Sequence, residues 1–189
     1  RFSTGVDDPV SGNQSLDSGA STKDFGLDRF YIVLQPEALE GVKFLGGKMK
    51  TPFIVTKDLI FDSDLNPEGV AFQAAFGEGL ELLLNGAAFT AEESSSEDDI
   101  YMYGGQVAIR VEVTEGINAL VGGSVYYWDG LAGAPTLYES TDSFGNSAAE
   151  VVDPETLETI GLTYMDDITI VEGFVQLKLD AGIPVKVYG

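Results

Sequence analysis

The chain contains no cysteine and no histidine. The first absence removes disulfides, thiol nucleophiles and thiolate zinc sites, and the second removes imidazole ligands and Ser-His-Asp triads. Basic residues are scarce, with 10 Lys and Arg against 31 Asp and Glu and a formal charge of -21. Nothing offsets phosphate repulsion, so no nucleic acid partner is expected, and no basic patch suggests an anionic membrane surface. No run of about 18 apolar residues occurs, which leaves no transmembrane helix; barrel strands escape that limit, needing only about 9–11 alternating residues each. Long helical periodicity is also missing. Carboxylates are the only groups left for acid–base chemistry, and no pair of them falls in a recognisable cleft, so no enzyme is expected. GKMK at 47–50 lacks the glycine spacing of a phosphate loop. No cofactor is expected.

What is present is alternation. In YMYGGQVAIRVEVTEGINALVGGSVYYW, residues 101–128, one parity carries Tyr101, Tyr103, Val107, Ile109, Val111 and Val113. After Glu115-Gly116 it resumes with Ile117, Ala119, Val121, Val125 and Tyr127. Two long strands joined by a tight turn, each with one apolar face, follow from this pattern. Strand-like stretches run over 25–35, 42–49, 69–76, 80–89, 101–114, 117–128, 168–180 and 184–188. Their connections alternate in length. PEALEG, GEG, EG and AGI are short, whereas 1–24, 50–68, 90–100 and 129–167 are long. Strands running up and down would gather the short turns at one end and the long external loops at the other, as outer-membrane barrels do. Within the last long loop, Ile160–Met165 is an apolar patch expected to form a short extra hairpin or to pack back on the mouth.

Parity sorts the strands into two faces. One holds Phe30, Ile32, Leu34, Val70, Phe72, Ala74, Phe76, Leu80, Leu82, Leu84, the two hairpin series, Val171, Val175, Leu177 and Leu179, and it carries no charge. The other holds Arg29, Gln73, Glu81, Asn85, Gln106, Arg110, Glu112, Asn118, Glu172, Gln176 and Lys178. The second strand is ambiguous, because Lys43 and Lys48 fall on opposite parities. Phe89, Tyr101, Tyr103, Tyr126, Tyr127 and Trp128 lie at strand ends beside long loops, at the level of an interfacial aromatic girdle. The fold expected is all-β: a transmembrane antiparallel up-and-down β-barrel of about eight strands. It forms one domain over 1–189, read as the inner portion of a longer barrel. The alternatives are a soluble secreted or surface β-sandwich that binds a partner, or a structural barrel that does not conduct.

Three stretches carry a family resemblance. LDRFY at 27–31, GKMKTPF at 47–53 and DLIFDSDLNPEG at 58–69 sit in the first two, and EGFVQLKLDAGIPVKVYG at 172–189 is the third. Together they resemble the putative porin family of Gram-negative outer membranes. The resemblance implies a pore-forming barrel in the cell outer membrane, often a homotrimer, that passes small hydrophilic solutes.

Candidate chemistry is limited to oxygen ligands and charge. Asp62, Asp64 and Asn66 resemble the start of a calcium loop, but an EF-hand needs glycine and glutamate where Pro67 and Gln73 stand. A looser loop-bound Ca2+ site, or side chains pinning the loop, are the two readings; on the porin reading this loop could also fold inward and narrow the pore. EESSSEDD at 92–99 is a solvated acidic tip that would concentrate cations at an external mouth. The pore-lining candidates are Arg29, Gln73, Glu81, Asn85, Gln106, Arg110, Glu112, Glu172, Gln176 and Lys178. Opposed charges among them would orient polar solutes, or would simply pair across strands.

Overall fold

Alternating sequence with tight turns builds the expected antiparallel ladder. The computed structural model describes residues 1–3, 25–55, 60–61, 64–93, 98–137, 141–143, 145–180 and 184–188. Twelve strands are present among them: β1 (Phe2–Ser3), β2 (Gly26–Leu27), β3 (Phe30–Leu34), β4 (Val42–Lys48), β5 (Glu68–Phe76), β6 (Leu80–Glu92), β7 (Ile100–Thr114), β8 (Ile117–Asp129), β9 (Ala148–Val152), β10 (Thr159–Tyr164), β11 (Ile168–Asp180) and β12 (Pro184–Tyr188). The main sheet has eight strands in the order β12-β11-β8-β7-β6-β5-β4-β3. All eight stretches read from the sequence are there, each pairing antiparallel with its neighbours. β3 and β12 are its two edges, so the described residues form an open sheet and no closed barrel.

The turn between β7 and β8 is Glu115-Gly116, and Gly116 takes a φ of 77°, a left-handed conformation that a glycine adopts without steric cost. This turn and those at 36–41 and 77–79 lie at one end, hereafter the turn end; the other is the loop end. The strands outrun their expected length at the loop end. Glu92 still pairs with Ile100, so the connection there is shorter than 90–100. Its acidic tip at 94–97 lies outside the described residues, as do 4–24 of the leading segment.

The loop at 129–167 is not uniformly solvated. β9 and β10 form a two-stranded hairpin, and Pro135 bridges Thr163. Tyr164 is buried with Ile100, Leu131 and Leu137 at the loop end. The patch at Ile160–Met165 thus forms the extra hairpin expected of it, with Tyr164 packed against Ile100 at the start of β7 while Ile160 and Met165 stay exposed.

Burial separates the two faces across the central strands, while Ala74 on the uncharged face is buried among its neighbours and the edge strand β3 is exposed on both sides. On the uncharged face, Val70, Ile109, Val121, Val125, Val171 and Val175 are all exposed. On the opposite face, Leu83, Phe89, Met102, Ala108, Leu120, Tyr126 and Phe174 are buried. The cover is the connection between β4 and β5. Met49, Phe53, Ile54, Val55, Ile60, Phe61 and Leu65 pack onto the inner face. The described residues of this connection, expected among the external loops at 50–68 with an inward fold as a further reading, lie on the sheet. A sandwich would bury the apolar face under a second sheet, and nothing among the described residues covers that face.

The aromatic girdle splits for the same reason. Tyr101, Tyr103 and Tyr127 stand exposed on the apolar face. Phe89, Tyr126 and Trp128 have the other parity and join the inner cluster. Successive side chains on a strand point to opposite faces, so a run such as Tyr126-Tyr127-Trp128 cannot form one belt.

Candidate functional site: the inner face of the sheet

Register assembles the inner face from residues far apart in sequence. Lys43 lies opposite Gln73, Gln73 opposite Asn85, Asn85 opposite Gln106, Gln106 opposite Ser124, and Ser124 opposite Glu172. One row of polar side chains thus crosses β4, β5, β6, β7, β8 and β11. The ambiguity of β4 is resolved: Lys43 belongs to this row. Lys48 has the other parity but sits at the strand end, where its Nζ donates to the Asn66 carbonyl at 3.0 Å.

The middle of the row is dry. Asn85, Gln106, Ser124 and Glu172 are all buried. Asn85 Nδ2 donates to Gln106 Oε1 at 2.9 Å, Gln106 Nε2 to Ser124 Oγ at 2.9 Å, and Ser124 Oγ to Glu172 Oε2 at 3.0 Å. Tyr126 donates its hydroxyl to the same Glu172 oxygen at 3.2 Å. The row also grips the covering connection. Ile54 N–H donates to Gln106 Oε1 at 2.7 Å, and Gln106 Nε2 donates back to the Ile54 carbonyl at 2.8 Å. Gln73 Nε2 donates to the Pro52 carbonyl at 2.7 Å. Backbone groups that would be orphaned on leaving water are satisfied by strand side chains.

Apolar rows flank the polar one. Toward the turn end, Leu83, Ala108, Leu120 and Phe174 receive Ile54. Toward the loop end, Phe53 and Phe61 close on Tyr126, with ring centroids 5.1 and 4.9 Å away and interplanar angles of 77° and 88°. Edge-to-face pairs of this kind are worth about 0.5–1.5 kcal/mol each beyond their burial. Gly104 makes the seat: a Cβ there would collide with the Phe53 ring. Phe61 also stacks on Trp128 at 6.2 Å.

Beyond Leu83 and Ala108 the inner face is charged and open. Arg110 Nη1 meets Glu81 Oε2 at 2.8 Å, with side chains 46% and 35% exposed. Glu112 lies opposite Asn118, and Asn118 opposite Lys178. Glu112 and Lys178 are exposed, and Gln176 is partly so. The residues named from the sequence therefore separate into three groups. Glu81, Arg110, Glu112, Gln176 and Lys178 form the solvated turn-end half. Gln73, Asn85, Gln106 and Glu172 hold the covering connection. Arg29 joins neither, since it precedes β3 and lies 3.5 Å from Asp28.

The calcium reading meets a different arrangement. Asn66 turns its amide nitrogen, a donor, toward Asp28 Oδ1 and the Asp64 carbonyl, both at 2.8 Å. Asp62 lies outside the described residues. Asp28 also meets Arg1 at 2.8 Å. Next to Lys48, Met49 is fully buried and donates its N–H to the Pro67 carbonyl at 2.9 Å. Asp28 of LDRFY, Lys48-Met49 of GKMK and Asn66-Pro67 of DLNPEG thus meet at one clasp, which accounts physically for three of the motif pieces.

Sequence reasoning named an inward fold of the loop around Asp62, Asp64 and Asn66, but missed Ser124, Tyr126 and the apolar residues Phe53, Ile54 and Phe61 that make the contact. A signal existed: Phe89, Met102, Tyr126 and Trp128 put a greasy patch on the polar parity, and TPFIV at 51–55 is the apolar segment that covers it.

The described residues thus form an all-antiparallel sheet with one exposed apolar face and one polar, partly covered face. Residues 1–166 match the family model described as "Putative porin", and the chain belongs to that family. The chain has no match among curated proteins or solved structures. Family membership supports a porin-like function in general, with transport rather than catalysis as its class.

Proposed function

We propose that this chain forms wall and inner lining of an outer-membrane barrel through which small hydrophilic solutes diffuse passively, with a preference for cations. The observation that carries the reading is the pair of opposed faces. Val121 and Val171 are 57% and 80% exposed with no cover, while the face behind them is polar. Such a sheet is stable where the exposed face meets hydrocarbon and the inner face meets water or protein. On this reading Glu81, Arg110, Glu112, Gln176 and Lys178 line the aqueous path, and residues 49–55, 60–61 and 64–67 occupy part of the lumen. Cation preference follows from the charge of -21 and from the acidic stretch at 92–99, a field that concentrates cations at the mouth. A homotrimer and a loop-bound Ca2+ belong to the same proposal.

The test is single-channel recording of the full-length protein in a planar bilayer under a salt gradient. Stepwise conductance with a cation-selective reversal potential is the expected result. A protein that stays monodisperse without detergent and never enters the bilayer would overturn the reading. Insertion without conductance would favour a structural barrel.

A further inference from the structure

We propose that Gln106 is the positioning residue that holds residues 52–55 against the wall, and that Glu172 sets the direction in which Gln106 does so. The inference rests on the porin reading, since its consequence is the width of the path.

The Gln106 amide has two acceptor sites and two N–H groups, and all four are engaged. Oε1 accepts from Ile54 N–H and Asn85 Nδ2; Nε2 donates to the Ile54 carbonyl and Ser124 Oγ. The pattern copies a pair of strand ladder bonds, with one side chain replacing a neighbouring backbone. It works in one orientation only. A flipped amide would set Nε2 against two other donors in a buried place, where unmade hydrogen bonds cost the full desolvation penalty.

The polarity has a source two links away. Glu172 as a carboxylate only accepts, and its Oε2 takes both Ser124 Oγ and the Tyr126 hydroxyl. Ser124 spends its single O–H on Glu172, so toward Gln106 it offers only lone pairs. That draws Nε2 to Ser124 and leaves Oε1 for the Asn85 amide and the Ile54 N–H. Tyr126 is fixed by the same carboxylate, and its ring is the one on which Phe53 and Phe61 close.

Single-channel conductance of the full-length protein tests this with Gln106→Leu, Gly104→Leu, Glu172→Leu and Glu172→Gln. Gly104→Leu evicts Phe53 while leaving every hydrogen-bonding group of Gln106 in place, so it serves if Gln106→Leu fails to fold. Both should raise conductance at least about twofold by freeing the inner face. Glu172→Leu should follow them, whereas Glu172→Gln keeps an acceptor oxygen and should match the wild type. If the wild type conducts and Gln106→Leu and Gly104→Leu match it, the latch is wrong and the porin reading stands. A silent wild type with conducting variants supports the latch and makes the channel a closed one. Silence in all of them removes both. Glu172→Gln behaving like Glu172→Leu would overturn the part assigned to Glu172.

Discussion

Val171 and Glu172 are neighbours on β11, yet the valine is 80% exposed and the glutamate 8%. A water-soluble sheet would reverse these values, because burying a charge is costly and burying a valine is favourable. The two faces of this sheet are therefore built for different surroundings. The outer one is apolar along its middle, with tyrosine hydroxyls only near the loop end. The inner one mixes carboxylates, amides and hydroxyls, and stays dry only where its own chain covers it and satisfies each polar group.

The largest effect expected on this contrast comes from the covered side. Phe53→Ala empties the seat over Gly104 and should weaken docking of residues 49–55 by about 3–5 kcal/mol. Hydrogen exchange at the Ile54 amide measures it, and unchanged protection would mean that the cover is not held by packing. The outer side comes next. Val121→Arg should cost about 2–4 kcal/mol in folding from urea into lipid vesicles if the residue lies near mid-bilayer. The same change on a face bathed in water would stay within about 0.5 kcal/mol, because Val121 is already exposed.

A smaller effect sharpens the division within the inner face. Glu81 and Arg110 pair in its solvated half. A double-mutant cycle should return a coupling of about 0.2–1 kcal/mol that fades at about 1 M salt. Coupling that survives such salt would put this pair in a dry environment and erase the distinction between the two halves. The smallest effect lies outside the sheet. Asp153 accepts the N–H groups of Glu155 and Thr156 at the tip of the β9–β10 hairpin, and these bonds hold its carboxyl below the ordinary 3.8. Because the folded value is the lower one, its contribution is present above pH 3.8 and is lost as the pH falls through the folded value. The Glu155 and Thr156 amide shifts should report that midpoint, and Asp153→Asn should abolish the titration without disturbing the main sheet.

The main sheet was legible because its faces are written in a period of two and its turns are short. Val107, Ile109 and Val111 against Gln106, Ala108 and Arg110 leave little choice of register, since a slip of one residue would exchange the faces. The covering connection was less legible. Residues 51–67 have no period, and Pro52, Pro67 and the aspartates between them read as an external loop with an inward fold as a second option, but with nothing to say where on the sheet it would rest. What places them is tertiary: a side-chain amide on β7 that completes the Ile54 backbone, and a glycine on the same strand whose missing Cβ admits a ring. The girdle was misread because position along a strand shows only distance from the strand end, whereas parity alone decides which side an aromatic occupies.

The connection that leaves β4 at Met49 reaches Gln106 on β7 and returns to β5 at Glu68. At about 4.8 Å between neighbouring strands, β4 and β7 stand about 14 Å apart across the sheet. Residues 49–54 therefore work as a tie-rod, anchored by the clasp at one end and by Gln106 at the other. A tie-rod limits how far the strands beneath it can splay. The sheet is thus braced across one face, and whatever loosens the brace also changes the bend of the sheet.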